Sequence, residues 1–543
     1  MNDAPDQAET ERLEAWVNEQ TLPPTLGQFV ADNAERYADQ VALNYFLDEV
    51  TLSYRELHEK ADQLAAGLSS LGLRKGAHVS VMLPNVPETF VTWVALARIG
   101  AVMIPTNVNY TATELSFVLN DADVQLMIVH ADFLDTVAQA ERPDMLSDSQ
   151  LVVVADSIEG MNDWHALVAD HARGFVAPTP VRESDLLNIQ YTSGTTGFPK
   201  GCMLTHDYWM HAAFSLGGSW GERGEIRNTL AWPPFFYMDG LWQVLGTFLH
   251  GGTAFVPRRM SMSRFVDWLE HYDIECCTFP EVVLKSFEAS ERDNALSLKY
   301  IYSFGWRPES KELAEQRFNC HALDAYGMTE LGTATITPKG AASKSYRRTC
   351  GRHAPNRELK ILDDQGREVA DGERGELWVR GRGVMWGYYK RPQANAEVFR
   401  DDWFRTGDIF YRDEEGYYFI VGRIKDMVKR AGENIAAREV EAVLHELDGI
   451  NEAAIVPVPD PVRKEEVKVY LILSAGWSPE DLPPQAILEH CQKHLARFKH
   501  PRYFAYIEEL PRTPSRKVAK DRLIKGVEDL RIGAYDAVEE AWR

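Results

Sequence analysis

Residues 53–72 (SYRELHEKADQLAAGLSSLG) carry apolar side chains at helical spacing, which predicts an amphipathic helix; Ser53 and Glu56 supply a capping box at its start. A β run follows at 78–83 (HVSVML), then a helix from about Glu88 to Ile99 and a strand at 101–105. The apolar runs at 124–130 (VQLMIVH) and 151–155 (LVVVA) read as buried strands. After residue 200 the alternation resumes, with a helix at 206–217, a strand at 253–257 and a helix at 262–272. Strands alternating with helices predict βαβ units, and hence mostly parallel sheet covered by helices on both faces.

The pattern changes after about residue 350. Short β segments (LKILD, GELWVRG, GYYFIVG) separated by D-D-Q-G, D-G-E-R-G and D-E-E-G turns predict a meander or small barrel-like part at about 350–421. Beyond Arg423 a helix at 437–448, strands at 453–458 and 467–473 and a helix at 485–497 describe a small α+β unit. The expected fold is therefore α/β. A large N-terminal domain (1–423) of parallel sheets and helices includes the β-rich part, and a small C-terminal α+β domain (424–543) follows it, with GRIKD (422–426) as the joint.

Composition narrows the function classes. With 45% hydrophobic and 26% charged residues, the 543-residue chain is ordinary globular protein. A formal charge of −23 argues against a broad nucleic-acid or anionic-membrane surface, so any anion must be met by a local collection of basic groups. Six scattered cysteines show no metal-ligand spacing; Cys276 and Cys277 read as core thiols in a reducing compartment. The acidic N-terminus lacks an apolar signal core, and apolar stretches such as 90–105 are interrupted by Arg98 and Gly100. A cytoplasmic location is expected.

The sharpest local signal is YTSGTTGFPKG, residues 191–201, directly after the strand-like LLNIQ. Its glycines let successive N–H groups converge on phosphate oxygens; Thr192, Ser193, Thr195 and Thr196 add hydroxyl donors, and Lys200 adds charge. The Walker A spacing is not met, because Pro199 precedes Lys200 and no Ser or Thr follows it, which disfavours a P-loop NTPase. This string resembles the phosphate loop of the adenylate-forming superfamily of acyl-CoA synthetases, nonribosomal adenylation domains and luciferases. Further motifs of that family follow in order: PPFFYMDG (233–240), DAYGMTE (324–330), TGD (406–408), GRIKDMVKRAGENI (422–435) and LPRTPSRK (510–517).

The resemblance implies ATP, Mg²⁺ and coenzyme A as ligands and assigns roles. The loop residues Thr192, Ser193, Gly194, Thr195, Thr196 and Lys200 hold phosphates. Tyr326 offers a ring to adenine, Thr329 a hydroxyl to phosphate, and Glu330 a hard oxygen to Mg²⁺ alongside Thr195. Gly305, Trp306, Asp324, Ala325, Gly327 and Met328 complete the nucleotide pocket. Asp408 suits the ribose diol because a carboxylate offers two acceptor oxygens and no competing donor, and Arg423 reaches the same sugar. Lys517 is the catalytic cation that bridges the acid and the α-phosphate. Lys520 is the alternative in the same segment, and Arg516 replaces the family's usual glycine, as in the crotonobetaine/carnitine-type branch. Lys425 is the hinge.

Lys429 and Gly432 match the loop lining the pantetheine tunnel, where Lys429, Arg430 and Arg438 are expected to attract CoA phosphates. Tyr237 takes the place of the gating ring. Asp239, Trp242, Phe304 and Gly332 are expected in the acyl pocket, where Phe304, Trp306, Tyr237 and Trp242 would crowd out a long fatty chain. The expected activity is an ATP-dependent carboxylic acid:CoA ligase acting on a small-to-medium acid, carnitine-like or aryl/cyclic. A stand-alone adenylation enzyme that transfers to a carrier protein is the alternative, and a non-catalytic relative would be expected to lack Lys517 or Glu330. A homodimer is the expected assembly.

Overall fold

The computed structural model describes residues 4–155, 158–192, 199–221, 223–306, 308–339, 349–431, 433–513 and 517–543. Two seven-stranded sheets form the bulk of the first 330 residues. One runs in the order Asn162–Asp163, Leu151–Val154, Leu126–His130, His78–Met82, Val102–Pro105, Leu186–Thr192, Lys200–Thr205. Its strands are parallel except for the last pair, an antiparallel edge. The other runs His321–Leu323, Tyr300–Tyr302, Cys276–Thr278, Asn228–Leu230, Thr253–Phe255, Val41–Tyr45, Val50–Ser53 and is likewise parallel up to its antiparallel edge.

Period-2 alternation explains how both faces of each sheet are covered. Val79, Val81, Ile128, Val152 and Val154 join the largest core cluster, whereas Met127, Val129, Leu151 and Val153 join a separate cluster with Leu115, Val118 and Leu119. In the second sheet Cys276, Tyr300 and Tyr302 face the large cluster, while Cys277 and Ile301 face a third one. The adjacent cysteines thus point to opposite sides, and all six cysteines are free and buried. The helices Tyr54–Ser70, Pro87–Ile99, His206–Gly218 and Met238–Leu249 supply the rest of the large cluster. Ser53 forms the anticipated capping box with Glu56.

After residue 350, strands Arg357–Leu362, Gly375–Gly381, Trp403–Arg412, Phe399–Arg400 and Tyr418–Arg423 form a five-stranded antiparallel sheet. Among the described residues no ladder joins Arg357–Leu362 to Tyr418–Arg423, so this part is an open meander and not a closed barrel. A final seven-stranded mixed sheet spans Met427–Arg430 to Ala541–Trp542, with helices Ala437–Leu444 and Pro484–His494 packed on its apolar face. Between these two sheets lies a single 3-10 turn, Ile424–Asp426, which contains Lys425. Among the described residues no helix is long and apolar enough to cross a membrane.

Candidate active site

The motif 324–330 folds as a strand and a turn. Ala325–Met328 pairs antiparallel with Gly332–Ile336, so Thr329 and Glu330 sit in the short connection between them. Gly327 faces the carbonyl of Gly332 so closely that a Cβ would lie 2.4 Å from that oxygen, which explains glycine here. Behind the strand, Asp324 is buried and paired with the equally buried Lys311 at 2.5 Å, and it accepts the Ala325 N–H at 2.9 Å. Burial raises the Asp324 pKa, and Lys311 opposes the rise. This pair was not visible in the sequence.

Asp408 is brought to Tyr326 by the strand Trp403–Arg412. The Tyr326 hydroxyl donates to Asp408 Oδ2 at 2.5 Å and Arg423 Nε donates to Oδ1 at 2.9 Å. The Tyr326 ring packs edge-on against Phe410 at 4.8 Å. Burial raises the Asp408 pKa, countered by Arg423 and the tyrosine hydroxyl. Arg423 itself is about half exposed at 47%, so its guanidinium also faces open space.

Glu330 is buried and accepts the Tyr388 hydroxyl on Oε1 at 2.8 Å. The Lys200 ammonium lies 4.8 Å from the centre of the same Tyr388 ring. Tyr388 therefore joins the base of the phosphate loop to the expected Mg²⁺ ligand, a role the sequence did not disclose. Thr192 and Lys200 are cross-strand partners at the mouth of that loop. Ser193, Gly194, Thr195 and Thr196 lie outside the described residues, as do Gly432 and Arg516.

The acyl side is organised by the helix Met238–Leu249. Tyr237 precedes it, and its hydroxyl accepts Asn107 Nδ2 at 3.1 Å. Asp239 lies in the first turn; its Oδ1 accepts Trp242 Nε1 at 3.4 Å. Asp239 is exposed at its surface, yet the protein packed around its carboxylate raises its pKa. Tyr208 ties this side to the nucleotide side by donating to the Thr329 carbonyl at 3.0 Å and reaching Met238 Sδ at 3.7 Å. Gly332 has φ +65°, with Arg357 Nη2 only 3.3 Å from where a Cβ would stand.

Two of the four expected pocket rings are core residues. Trp306 is turned inward against Phe279, with centroids 5.9 Å apart, because the left-handed Gly305 (φ +69°) turns the chain back into the apolar cluster. Trp242 is buried against Tyr302 at 5.4 Å and offers the cleft only its N–H. Phe304, stacked on Tyr302 at 5.3 Å, is 40% exposed and, like Tyr237, does reach open space.

Residues from the last sheet reach this cleft. Thr513 N–H donates to the Lys517 carbonyl at 2.8 Å and Lys517 N–H to Thr513 Oγ1 at 3.2 Å, and Lys517 is exposed. The positive charge of Lys517 acts on Asp239 and lowers its pKa against the effect of burial. Arg438 Nη2 lies 3.6 Å from the Cβ position of Gly305. Lys425 and Lys429 are exposed, and the Lys429 N–H donates to Glu465 at 2.6 Å. Arg430, expected to face CoA, is instead buried. It pairs with the fully buried Glu466 at 2.7 Å and donates to the carbonyls of Phe498 and His500. Its charge is used within the fold.

Residues 30–389 match the AMP-binding enzyme family and residues 439–517 its C-terminal domain. The chain belongs to the AMP-binding enzyme family. It is 31% identical over 518 residues to the sulfoacetate–CoA ligase of Cupriavidus necator, covering 94% of this chain and 99% of the relative. It is 28% identical over 512 residues to the crotonobetaine/carnitine–CoA ligase of Salmonella typhimurium, covering 92% and 98%. Among solved structures, an anthranilate CoA ligase in complex with anthranoyl-AMP superposes with a TM-score of 0.82 at 22% identity, over 93% of this chain and 98% of that one. The o-succinylbenzoate CoA synthetase of Bacillus subtilis with its acyl-adenylate gives 0.80 at 23% identity, over 94% and 100%. This AMP-binding enzyme is an AMP-forming acid–thiol ligase, of a class that uses ATP, Mg²⁺ and CoA.

Proposed function

We propose that the protein joins a small-to-medium carboxylic acid to coenzyme A in two steps on one cleft, through an acyl-adenylate. The observation that carries this reading is the convergence of Asp408, Tyr326 and Arg423 and of Glu330 with Tyr388 and Lys200, with the charge of Lys517 felt at Asp239.

In the first step the acid's carboxylate attacks the α-phosphate of ATP, and pyrophosphate leaves. Asp408 and Arg423 hold the ribose, and Tyr326 with the backbone of Gly305 and of 324–328 bounds the adenine. Lys517 lies between the attacking carboxylate and the α-phosphate oxygens, where negative charge accumulates in the transition state. The donor set fits Mg²⁺: Glu330 is a hard oxygen ligand whose second oxygen is not taken by Tyr388, with Thr195 as the proposed hydroxyl partner. When bound, that ion neutralises charge on the phosphates.

In the second step the C-terminal domain (424–543) turns about Lys425, withdraws Lys517 and presents Lys429 and Gly432 to the cleft. The CoA thiolate then attacks the acyl carbonyl, and AMP leaves. Closure by either face shields a water-sensitive mixed anhydride. Transfer to a carrier protein is disfavoured, because the sequence relatives are CoA ligases.

The acid is small. Buried Trp242 and Tyr302 back a cleft fronted by Phe304 and Tyr237, and the two named relatives act on sulfoacetate and on crotonobetaine or carnitine. Asp239, with one weak N–H partner, suits a cationic acid of the carnitine type, and the exposed Phe304 ring suits an aryl or cyclic one. The assembly is a homodimer and its location the cytoplasm. Pyrophosphate release measured across a panel of acids, with and without CoA, tests the reading. Acid-dependent release followed by CoA-dependent AMP formation supports it; a strong preference for palmitate, or turnover indifferent to CoA, overturns it.

A further inference from the structure

Away from the cleft, Glu446, His490 and His494 bring metal-type donors together, one atom from each lying within 4.8 Å of the other two. His490 and His494 are four residues apart on the helix Pro484–His494, so they share one face, with ring centroids 4.3 Å apart. Glu446 follows the end of the helix Ala437–Leu444, and its Oε2 lies 3.7 Å from His490 Nε2.

Each imidazole has one nitrogen on a main-chain carbonyl. His490 Nε2 contacts Val443 O at 3.1 Å, and His494 Nδ1 contacts His490 O at 2.9 Å. A carbonyl can only accept, so these nitrogens carry the protons and the lone pairs a metal needs sit on His490 Nδ1 and His494 Nε2; Glu446, which now lies nearest the protonated His490 Nε2, must swing toward Nδ1 to share an ion with it. Carbonyl-oriented imidazoles of this kind are how histidines are held when they ligate metals. Two imidazoles and one carboxylate suit Zn²⁺ and its transition-metal neighbours, not the Mg²⁺ used with ATP. Ligand bonds of about 2.0–2.2 Å in a tetrahedron need donors roughly 3.4 Å apart. The exposed Glu446 side chain can close that gap by changing rotamer while both imidazoles keep their carbonyl contacts, with water completing the shell.

We propose that Glu446, His490 and His494 form a Zn²⁺ site that staples the two helices of the C-terminal sheet together. Without metal these helices meet through Val440, Leu444, Ile487 and Cys491. The bound ion would link their ends and stabilise the small unit, leaving the cleft chemistry to other residues.

The test is equilibrium dialysis of the full-length, untagged, chelator-washed protein against Zn²⁺, paired with thermal unfolding. The expected result is one Zn²⁺ per chain and a raised unfolding midpoint. The double variant His490→Ala/His494→Ala should lose both, and Glu446→Gln should bind more weakly. Far-UV circular dichroism without metal establishes that the variants are folded. Equal Zn²⁺ uptake by the wild type and the double variant, or no uptake by the wild type, overturns the proposal.

Discussion

The Lys520 ammonium is paired with Glu441 at 2.6 Å. Three residues earlier, Lys517 is exposed, and its charge lowers the Asp239 pKa against the effect of burial. Two lysines that the sequence alone left in competition are thus separated by their surroundings. Lys517→Ala should cost about 10²–10³-fold in the rate of acid-dependent pyrophosphate release, the range for removing one preorganised stabilising group. Thioester formation from supplied acyl-adenylate should survive. Lys520→Ala should leave the first step within about tenfold of wild type and act mainly on stability. The reverse ranking of the two variants would discard the assignment.

Asp408 holds two donors, Tyr326 and Arg423, on its two oxygens. A vicinal diol entering this cluster meets a carboxylate already oriented for it. Asp408→Asn keeps the shape but removes the charge and replaces one acceptor with a donor, which conflicts with one of the two neighbours and with the diol. Loss of a charge-assisted hydrogen bond is worth roughly 1.5–3 kcal/mol, so KM for ATP should rise by about ten- to a hundredfold. KM for the acid should change little, and steady-state kinetics with each substrate varied separately will show whether the effect is confined to the nucleotide.

Local signals carried much of this architecture. The Ser53 and Glu56 capping box needs only four residues, and it was readable for that reason. The strand Trp403–Arg412 was harder to see as a strand: its inward positions are Phe404, Thr406, Asp408 and Phe410, and the two polar ones break the apolar alternation where the site lies. Function disguised structure there. The inward turn of Trp306, the Tyr388 link between Glu330 and Lys200, and the Lys311 pair behind Asp324 each depend on contacts between separate segments, and no spacing rule encodes them.

Arg430 shows the same limit in the basic loop. Its partner Glu466 is fully buried and also receives Arg463 at 3.1 Å. Replacing Arg430 with Met removes the most buried partner and leaves Glu466 with half-exposed Arg463 at 3.1 Å and with Arg502 at 3.8 Å. The expected loss is about 3 kcal/mol of folding stability, the lower end for breaking a buried pair, because Arg463 remains. KM for CoA should not change. Lys429→Ala should raise KM for CoA and leave stability alone. Denaturant midpoints and CoA titrations on both variants will detect any exchange of these roles.

Acid should weaken the large core through the helix His206–Gly218. His206 is fully buried, its Nδ1 accepts the Leu26 N–H at 3.2 Å, and burial depresses its pKa from 6.5 to about 4. His211, also buried, is depressed to about 4 by burial and by Arg357. Both groups stay neutral in the folded chain over a range where the unfolded chain takes up protons. Stability therefore rises with pH across that range: it is complete above about pH 6.5 and is lost progressively as pH falls toward 4. A shift of this size corresponds to about 3 kcal/mol for each histidine. His206→Asn keeps an acceptor for Leu26 without a titrating ring, so its urea midpoint should fall less than that of the wild type between pH 7 and pH 4. Parallel loss in the two proteins would remove His206 from the account.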